Sequence, residues 1–339
     1  MEMGMAESQL VVVITGASAG LGRATAIRFA RSGARIALLA RGAAGLEGAR
    51  RDVEAAGGTA LVFPTDVADA QAVEAAAERA ERELGPIDVW INVAMASVFS
   101  PVKEMQADEY QRVTAVTYLG QVHGAQAALK RMLPRDRGRI ILIGSALAYR
   151  GIPLQSAYCA AKHAIQGFAD SLRTELLHDR SRVTLTMIQL PAMNTPQFGW
   201  VRSRMPKKAQ PVPPVFEPEV AAEAIFYAAH HSRREMYVGY PTYEAIIGNK
   251  IAPGLADHYL ARNGVSSQQT DEPEDPDRPD NLYEPVDARV DHGAHGTFGS
   301  IAHDRSEILE VDMNRPAVGL MLGLGALVLL ACSRARTHR

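Results

Sequence analysis

Between residue 10 and about residue 262, short apolar runs alternate with longer Ala-rich helical stretches, and the alternation predicts strands and helices in turn. The run Leu10-Val11-Val12-Val13-Ile14 is apolar and β-branched throughout, as expected of a strand buried on both faces of a parallel sheet. Runs of the same kind at 35–39, 60–63, 89–91, 139–143, 183–190 and 236–238 predict six more strands. Helices are predicted between them at 20–32, 43–56, 69–84, 108–132, 156–178 and 218–231. Parallel strands need crossovers of a dozen residues or more, and these helices supply them. The expected fold is α/β, a doubly wound seven-stranded parallel sheet with helices on both faces. Ligands of such sheets bind beyond the carboxyl ends of the strands, where the strand order reverses.

The pattern changes after residue 262. Residues 263–316 are polar and rich in Pro, Asp and Glu, too poor in apolar surface for a core of their own, so a largely disordered or surface-wrapped linker is expected. Residues 317–333 then carry no charge, and at about 1.5 Å per residue they reach about 25 Å, enough for a short membrane-spanning helix. Arg315 stands before this run, and the basic tail 334–339 follows with Arg334, Arg336 and Arg339. With no basic-then-apolar start, residues 1–262 are expected to form a cytosolic domain held to a membrane by a single C-terminal pass.

Composition narrows the function. A net charge of -2 provides no basic field, which excludes nucleic acid as the expected partner. Two distant cysteines, Cys159 and Cys332, exclude a disulfide scaffold and a cysteine zinc site. His292, His295 and His303 lack ligand spacing, and no metal is expected.

The candidate chemistry lies in the loops at the strand ends. The first strand runs into Thr15-Gly16-Ala17-Ser18-Ala19-Gly20-Leu21-Gly22, where glycines allow a tight turn and close approach of backbone to a diphosphate at the start of the next helix. The second strand ends in Leu39-Ala40-Arg41. The absence of an acid there, with Arg41 adjacent and Arg23 after the glycine loop, points to the 2′-phosphate of NADP(H), with NAD(H) as the alternative. Asp66 and Val67, after the third strand, suit an adenine-edge contact or, for Asp66, a plain helix N-cap. In the second half, Ser145 ends a strand, and Tyr158 and Lys162 follow at i and i+4 on one helix face. A tyrosine ordinarily titrates near 10; a neighbouring ammonium is expected to lower that value, letting the phenol exchange a proton with a carbonyl or alcohol oxygen that Ser145 also holds.

These pieces, in this order, resemble the short-chain dehydrogenase/reductase family in its compact single-domain branch. The resemblance runs from Leu10 to about Tyr240 through the glycine loop, Asp66, Asn92-Val93-Ala94, Ser145, Tyr158 with Lys162, and Pro191 to Thr195. It implies a Rossmann-type dinucleotide-binding catalytic domain at 1–262 that forms homo-oligomers. It assigns catalysis to Ser145, Tyr158 and Lys162, with Lys162 also on the nicotinamide ribose and Thr195 on the carboxamide or diphosphate. Two positions depart from the family pattern. Met95 stands where the family usually has a glycine, and Thr117 where it usually has an asparagine that steadies a water in a proton relay, so an altered relay through Thr117 is expected.

Substrate choice in this family lies largely in the loop after the sixth strand, here 196–216. It holds Phe198, Trp200, Val201 and Met205 beside Arg202, Arg204, Lys207 and Lys208. An apolar and basic lid of this kind suggests a hydrophobic substrate taken from or near an anionic membrane, or simply a loop kept in solution by its charges. The expected activity is NADP-dependent interconversion of a secondary alcohol and a ketone or aldehyde. The alternatives are an NAD-dependent lipid- or steroid-type alcohol dehydrogenase and a non-catalytic dinucleotide-binding membrane protein.

Overall fold

A computed structural model describes residues 10–315. Seven strands form one parallel sheet: β1 (Val11–Thr15), β2 (Arg35–Ala40), β3 (Thr59–Pro64), β4 (Val89–Asn92), β5 (Arg139–Ile143), β6 (Thr184–Gln189) and β7 (Glu235–Tyr237). In these labels the order across the sheet is β7-β6-β5-β4-β1-β2-β3, so the order reverses between β1 and β4. The unbroken apolar run of β1 has the cause expected of it. Val12 and Ile14 pack into the core on one face of the sheet, Val11 and Val13 into the core on the other, and all four are fully buried.

The helices follow the predicted alternation as α1 (Gly20–Ala30), α2 (Ala43–Ala55), α3 (Ala70–Leu84), α4 (Ala107–Val113), α5 (Gly120–Met132), α6 (Ser156–His178) and α7 (Pro218–His230). The stretch expected as one helix at 108–132 is α4 and α5 joined by a π-helical turn, Thr114–Leu119, a wider winding that is uncommon and often found near functional sites. Among helices not expected are α8 (Tyr240–Ile251) and α9 (Pro253–Asn263), each with proline in its first turn.

Of the two expectations for the linker, surface wrapping is the one that fits the described residues. Residues 264–315 lie over the domain as an ordered strap. The segment adds only a few buried apolar side chains, among them Leu282, Ala294 and Leu309, and attaches mainly through polar groups already present on the domain. Its strand Gln269–Pro273 pairs with Lys207–Ala209, its strand Ala302–His303 pairs with Val215–Phe216, and its short helix α10 (Glu307–Met313) reaches back to α7. A segment too polar to build a core can be held by one that exists. Among the described residues no helix is long and apolar enough to cross a membrane. The predicted span at 317–333 and the basic tail 334–339 lie outside the described residues.

Candidate active site

The reversal between β1 and β4 opens into a cavity of about 460 Å³ lined by the loops after β1, β2, β3, β4, β5 and β6. The loop after β1 is shaped by close approach. Gly16 has φ +67°, and a Cβ there would stand 2.8 Å from the Ala94 Cα, while one on Gly22 would overlap the Gly16 carbonyl. The Thr15 hydroxyl accepts from the amides of Val93 (3.0 Å) and Ala94 (3.2 Å), which locks this loop to the one after β4. The cradle so formed presents Gly16, Ser18, Gly20, Leu21 and Gly22 to the cavity at the start of α1, as a dinucleotide's diphosphate requires.

Most of the predicted site residues meet in this one cavity: the glycine-loop residues with Arg41, Asp66, Val67, Ser145, Tyr158, Lys162, Pro191 and Thr195, and Met95 beside them. Three do not line it. The Arg23 side chain is only 6% exposed and turns away, its Nε bonded to Asp52 at 2.7 Å and its two terminal nitrogens to Asp291. Asn92 is fully buried, its side-chain oxygen accepting from the Trp90 indole at 3.0 Å. Thr117 is 0% exposed, and its hydroxyl accepts from the Ala96 amide (2.9 Å) while donating to the Ala96 carbonyl (2.8 Å). The only proton of this hydroxyl and one of its two lone pairs are spent on the Ala96 backbone, so Thr117 stands behind the cavity wall with no donor to offer the expected relay water.

Two further expectations change. Asp66 is not a helix N-cap, since Asp69 caps α3 by accepting from Gln71 and Ala72. The Asp66 carboxylate accepts instead from the Ala68 amide (3.0 Å) and the Arg112 guanidinium (2.6 Å), which leaves the corner's other face to Val67. Arg41 reaches the cavity, yet its terminal nitrogens donate to the carbonyls of Tyr283 (2.6 Å) and Asn281 (2.5 Å) on the strap. The two arginines expected to greet a 2′-phosphate are therefore both engaged by residues more than two hundred positions away.

At the other end, β5 delivers Ser145 and α6 carries Tyr158 and Lys162 on one face. The Ser145 amide donates to the buried Gln189 side chain at 2.7 Å, which fixes the strand end. Gln189 was not singled out from the sequence, though a fully buried amide at the carboxyl end of β6 lies where such sheets place their chemistry. Lys162 is 1% exposed; its ammonium donates to the Ile143 carbonyl at 2.6 Å and lies 5.4 Å from the centre of the Tyr158 ring. Burial pulls Lys162 down to about 7. Burial also pushes Tyr158 above its ordinary 10, and only the hydrogen bond with Ser145 draws it back. Desolvation, and not the expected acidification by the neighbouring ammonium, is the largest influence on the phenol.

The substrate end is walled by Phe99, Leu147, Phe198, Trp200, Val201 and Pro214. All four basic residues of the loop are paired: Arg202 with Glu109 and Asp280, Arg204 with Glu109, Lys207 with Asp271, and Lys208 with Glu272. Their charge is balanced mainly by the strap, and what the loop presents to the cavity is mostly apolar, with Gln197 and Gln210 the polar exceptions.

Residues 10–205 match the family model described as short chain dehydrogenase. The chain is 30% identical over 328 residues to the uncharacterized oxidoreductase YxnA of Bacillus subtilis, covering 96% of this chain and 91% of that one. It is 32% identical over 220 residues to a fatty acyl-CoA reductase of Acinetobacter baylyi, covering 64% of this chain and 72% of the relative. Among solved structures, a metagenomic short-chain oxidoreductase in complex with NADP superposes with a TM-score of 0.59 at 28% identity, over 69% of this chain and 98% of that one.

Proposed function

The chain belongs to the short-chain dehydrogenase family and is an NAD(P)-dependent oxidoreductase; we propose that it interconverts an apolar ketone or aldehyde with the corresponding alcohol, with Tyr158 as the acid and base. The observation that carries this reading is the convergence of Ser145, Tyr158 and Lys162 on the cavity that the glycine loop also lines. The glycine cradle fits a dinucleotide's diphosphate, and Lys162 and Thr195 are the residues that would hold its nicotinamide half. When bound, a nicotinamide supplies or accepts hydride. The protein's own part is the proton. Tyr158 gives it to the carbonyl oxygen, Ser145 holds that oxygen through its hydroxyl, and the Lys162 ammonium steadies the charge that builds on the phenol.

An apolar substrate is supported by the wall of Phe99, Phe198 and Trp200, and the relative named as a fatty acyl-CoA reductase is consistent with it. The expected preference for NADP(H) draws support from the NADP-bound neighbour but loses the support of Arg23 and Arg41, and the reading holds for either dinucleotide. Membrane attachment belongs to the same proposal. It is supported by the uncharged run at 317–333 and by Ile251, Leu255 and Tyr259, which stand exposed on α8 and α9, Tyr259 at the cavity itself.

The test is a panel of hydrophobic ketones and alcohols followed by nicotinamide absorbance, with and without detergent. Turnover that disappears in Tyr158→Phe is expected. Turnover that survives that substitution, or none with any member of the panel, removes the proposal.

A further inference from the structure

The corner at the end of β2 contains a carboxylate that the first half of the chain does not supply. Asp287, on the strap, is 7% exposed and lines the cavity beside Arg41. Its carboxyl group lies against Gly42 so closely that a Cβ on residue 42 would overlap it, and a Cβ on Gly45 would stand 2.5 Å from its second oxygen and 2.9 Å from the Ser18 Cβ. Asp287 thus sits between the glycine loop, the end of β2 and the first turn of α2. In a doubly wound dinucleotide fold this is where the ribose 2′ position is read, by an acid when that position carries a hydroxyl and by a cation when it carries a phosphate.

The seat for this residue is built into α2. Gly42, Gly45 and Gly48 recur at every third position along one face, and a Cβ on Gly48 would overlap the carboxylate of Asp291, the next acid of the strap. Glycine inside a helix is destabilising, and close approach of the strap accounts for it at this face. Asp291 is clamped by the buried Arg23, and the Gly20 amide donates to the Gly293 carbonyl at 3.1 Å, so the strap is fixed on the far side of Asp287. On the near side it is fixed by the bonds from Arg41 to Asn281 and Tyr283.

We propose that Asp287 of the strap is the specificity-determining residue of the nucleotide end, accepting the ribose 2′-hydroxyl and selecting NAD(H) over NADP(H). The assignment rests on the dinucleotide reading above. A hydroxyl facing a carboxylate donates a charge-assisted hydrogen bond. A 2′-phosphate brings about -1.5 to -2 of charge against the same carboxylate; Arg23 is already paired with Asp52 and Asp291, and the terminal nitrogens of Arg41 are directed at the strap carbonyls of Tyr283 and Asn281. The acid that the end of β2 lacks is delivered from the other end of the chain.

Calorimetric titration of the full chain with ADP-ribose and with 2′-phospho-ADP-ribose tests the assignment without any turnover. The wild type is expected to bind ADP-ribose about tenfold or more tightly than the phosphorylated form. Asp287→Asn is expected to narrow that ratio by about tenfold, chiefly by tighter binding of the phosphorylated ligand. Gly42→Ala displaces the carboxylate without altering it, and is expected to move the ratio in the same direction, so a poorly folding Asp287 variant does not end the test. A wild-type preference for the phosphorylated ligand, or a ratio that neither substitution moves while both ligands bind, overturns the assignment and leaves the oxidoreductase reading standing. Failure of the wild type to bind either ligand removes the dinucleotide reading, and the assignment with it.

Discussion

At one end of the cavity, Ser145, Tyr158 and Lys162 come from a strand end and the helix that follows it; at the other, Arg41 and Gly42 meet the strap, Arg41 and its partner Tyr283 being 242 positions apart. The first arrangement needs only one strand, one helix and the spacing of two side chains on it. The second needs the whole chain to have folded before its chemistry exists. Charge behaves differently at the two ends as a result. In the catalytic corner, Lys162 and Tyr158 are both held towards their neutral forms by burial. In the nucleotide corner the cations stay charged and are matched one by one with acids or carbonyls. A local motif therefore tells which side chains meet at one end of the cavity, and tells little about what surrounds the nucleotide end.

The largest effect that tests this contrast is expected from Tyr158→Phe. Turnover should fall by about 10³-fold, within the range for loss of a positioned acid or base, while calorimetric affinity for ADP-ribose stays unchanged. A matched loss of nucleotide affinity would mean that the two ends are one unit. Next is Arg23→Ala, which unclamps the strap and strands Asp291 beside α2. About 2 kcal/mol of stability should be lost, below the usual figure for a broken buried pair because Asp52 and Asp291 are partly exposed. A urea titration read by tryptophan fluorescence measures it, and an unshifted midpoint would show that the strap is not held there.

Lys162 yields a pH-dependent prediction. Its folded value of about 7 lies below the ordinary 10.5, so between those two the unfolded chain binds more protons than the folded one. Stability from this group therefore rises with pH across that window and is flat below it. The wild type should gain melting temperature relative to Lys162→Met from pH 7 to pH 9, and parallel curves would contradict the burial argument. The smallest effect is expected from Thr117→Val, which cuts both bonds to Ala96 and should cost about 1 kcal/mol in a denaturant titration. The pH profile of turnover should not move, whereas a shifted profile would restore Thr117 to a proton relay.

All seven strands of the sheet and six helical stretches could be read in advance because both faces of the sheet are covered, and buried strands advertise themselves as apolar runs. Tyr158 and Lys162 were legible because helical spacing alone puts them on one face. The strap was not legible as an ordered element, since its polar composition says only that it cannot form a core by itself and is silent about carboxylates and carbonyls that dock on arginines elsewhere. A sign of it was present all the same. Gly42 at the N-cap of α2 and Gly45 and Gly48 within it form a stripe that is costly unless another segment packs closely against it, as Asp287 and Asp291 do. Arg23 and Arg41 were read as cations for the nucleotide end, but the sign of a charge does not reveal what it is paired with. The basic residues of the 196–216 loop misled in the same way, and for the same reason.

The claim beneath the whole account is that hydride crosses this cavity to an apolar carbonyl while Tyr158 supplies the proton. Supplying the protein with a dinucleotide deuterated at the transferring position, and weighing the alcohol formed from a hydrophobic ketone by mass spectrometry, tests it most directly. The account predicts an alcohol carrying one deuterium with the wild type and none formed above background with Tyr158→Phe. Alcohol formed without deuterium, or labelled alcohol formed at the full rate by Tyr158→Phe, would contradict it.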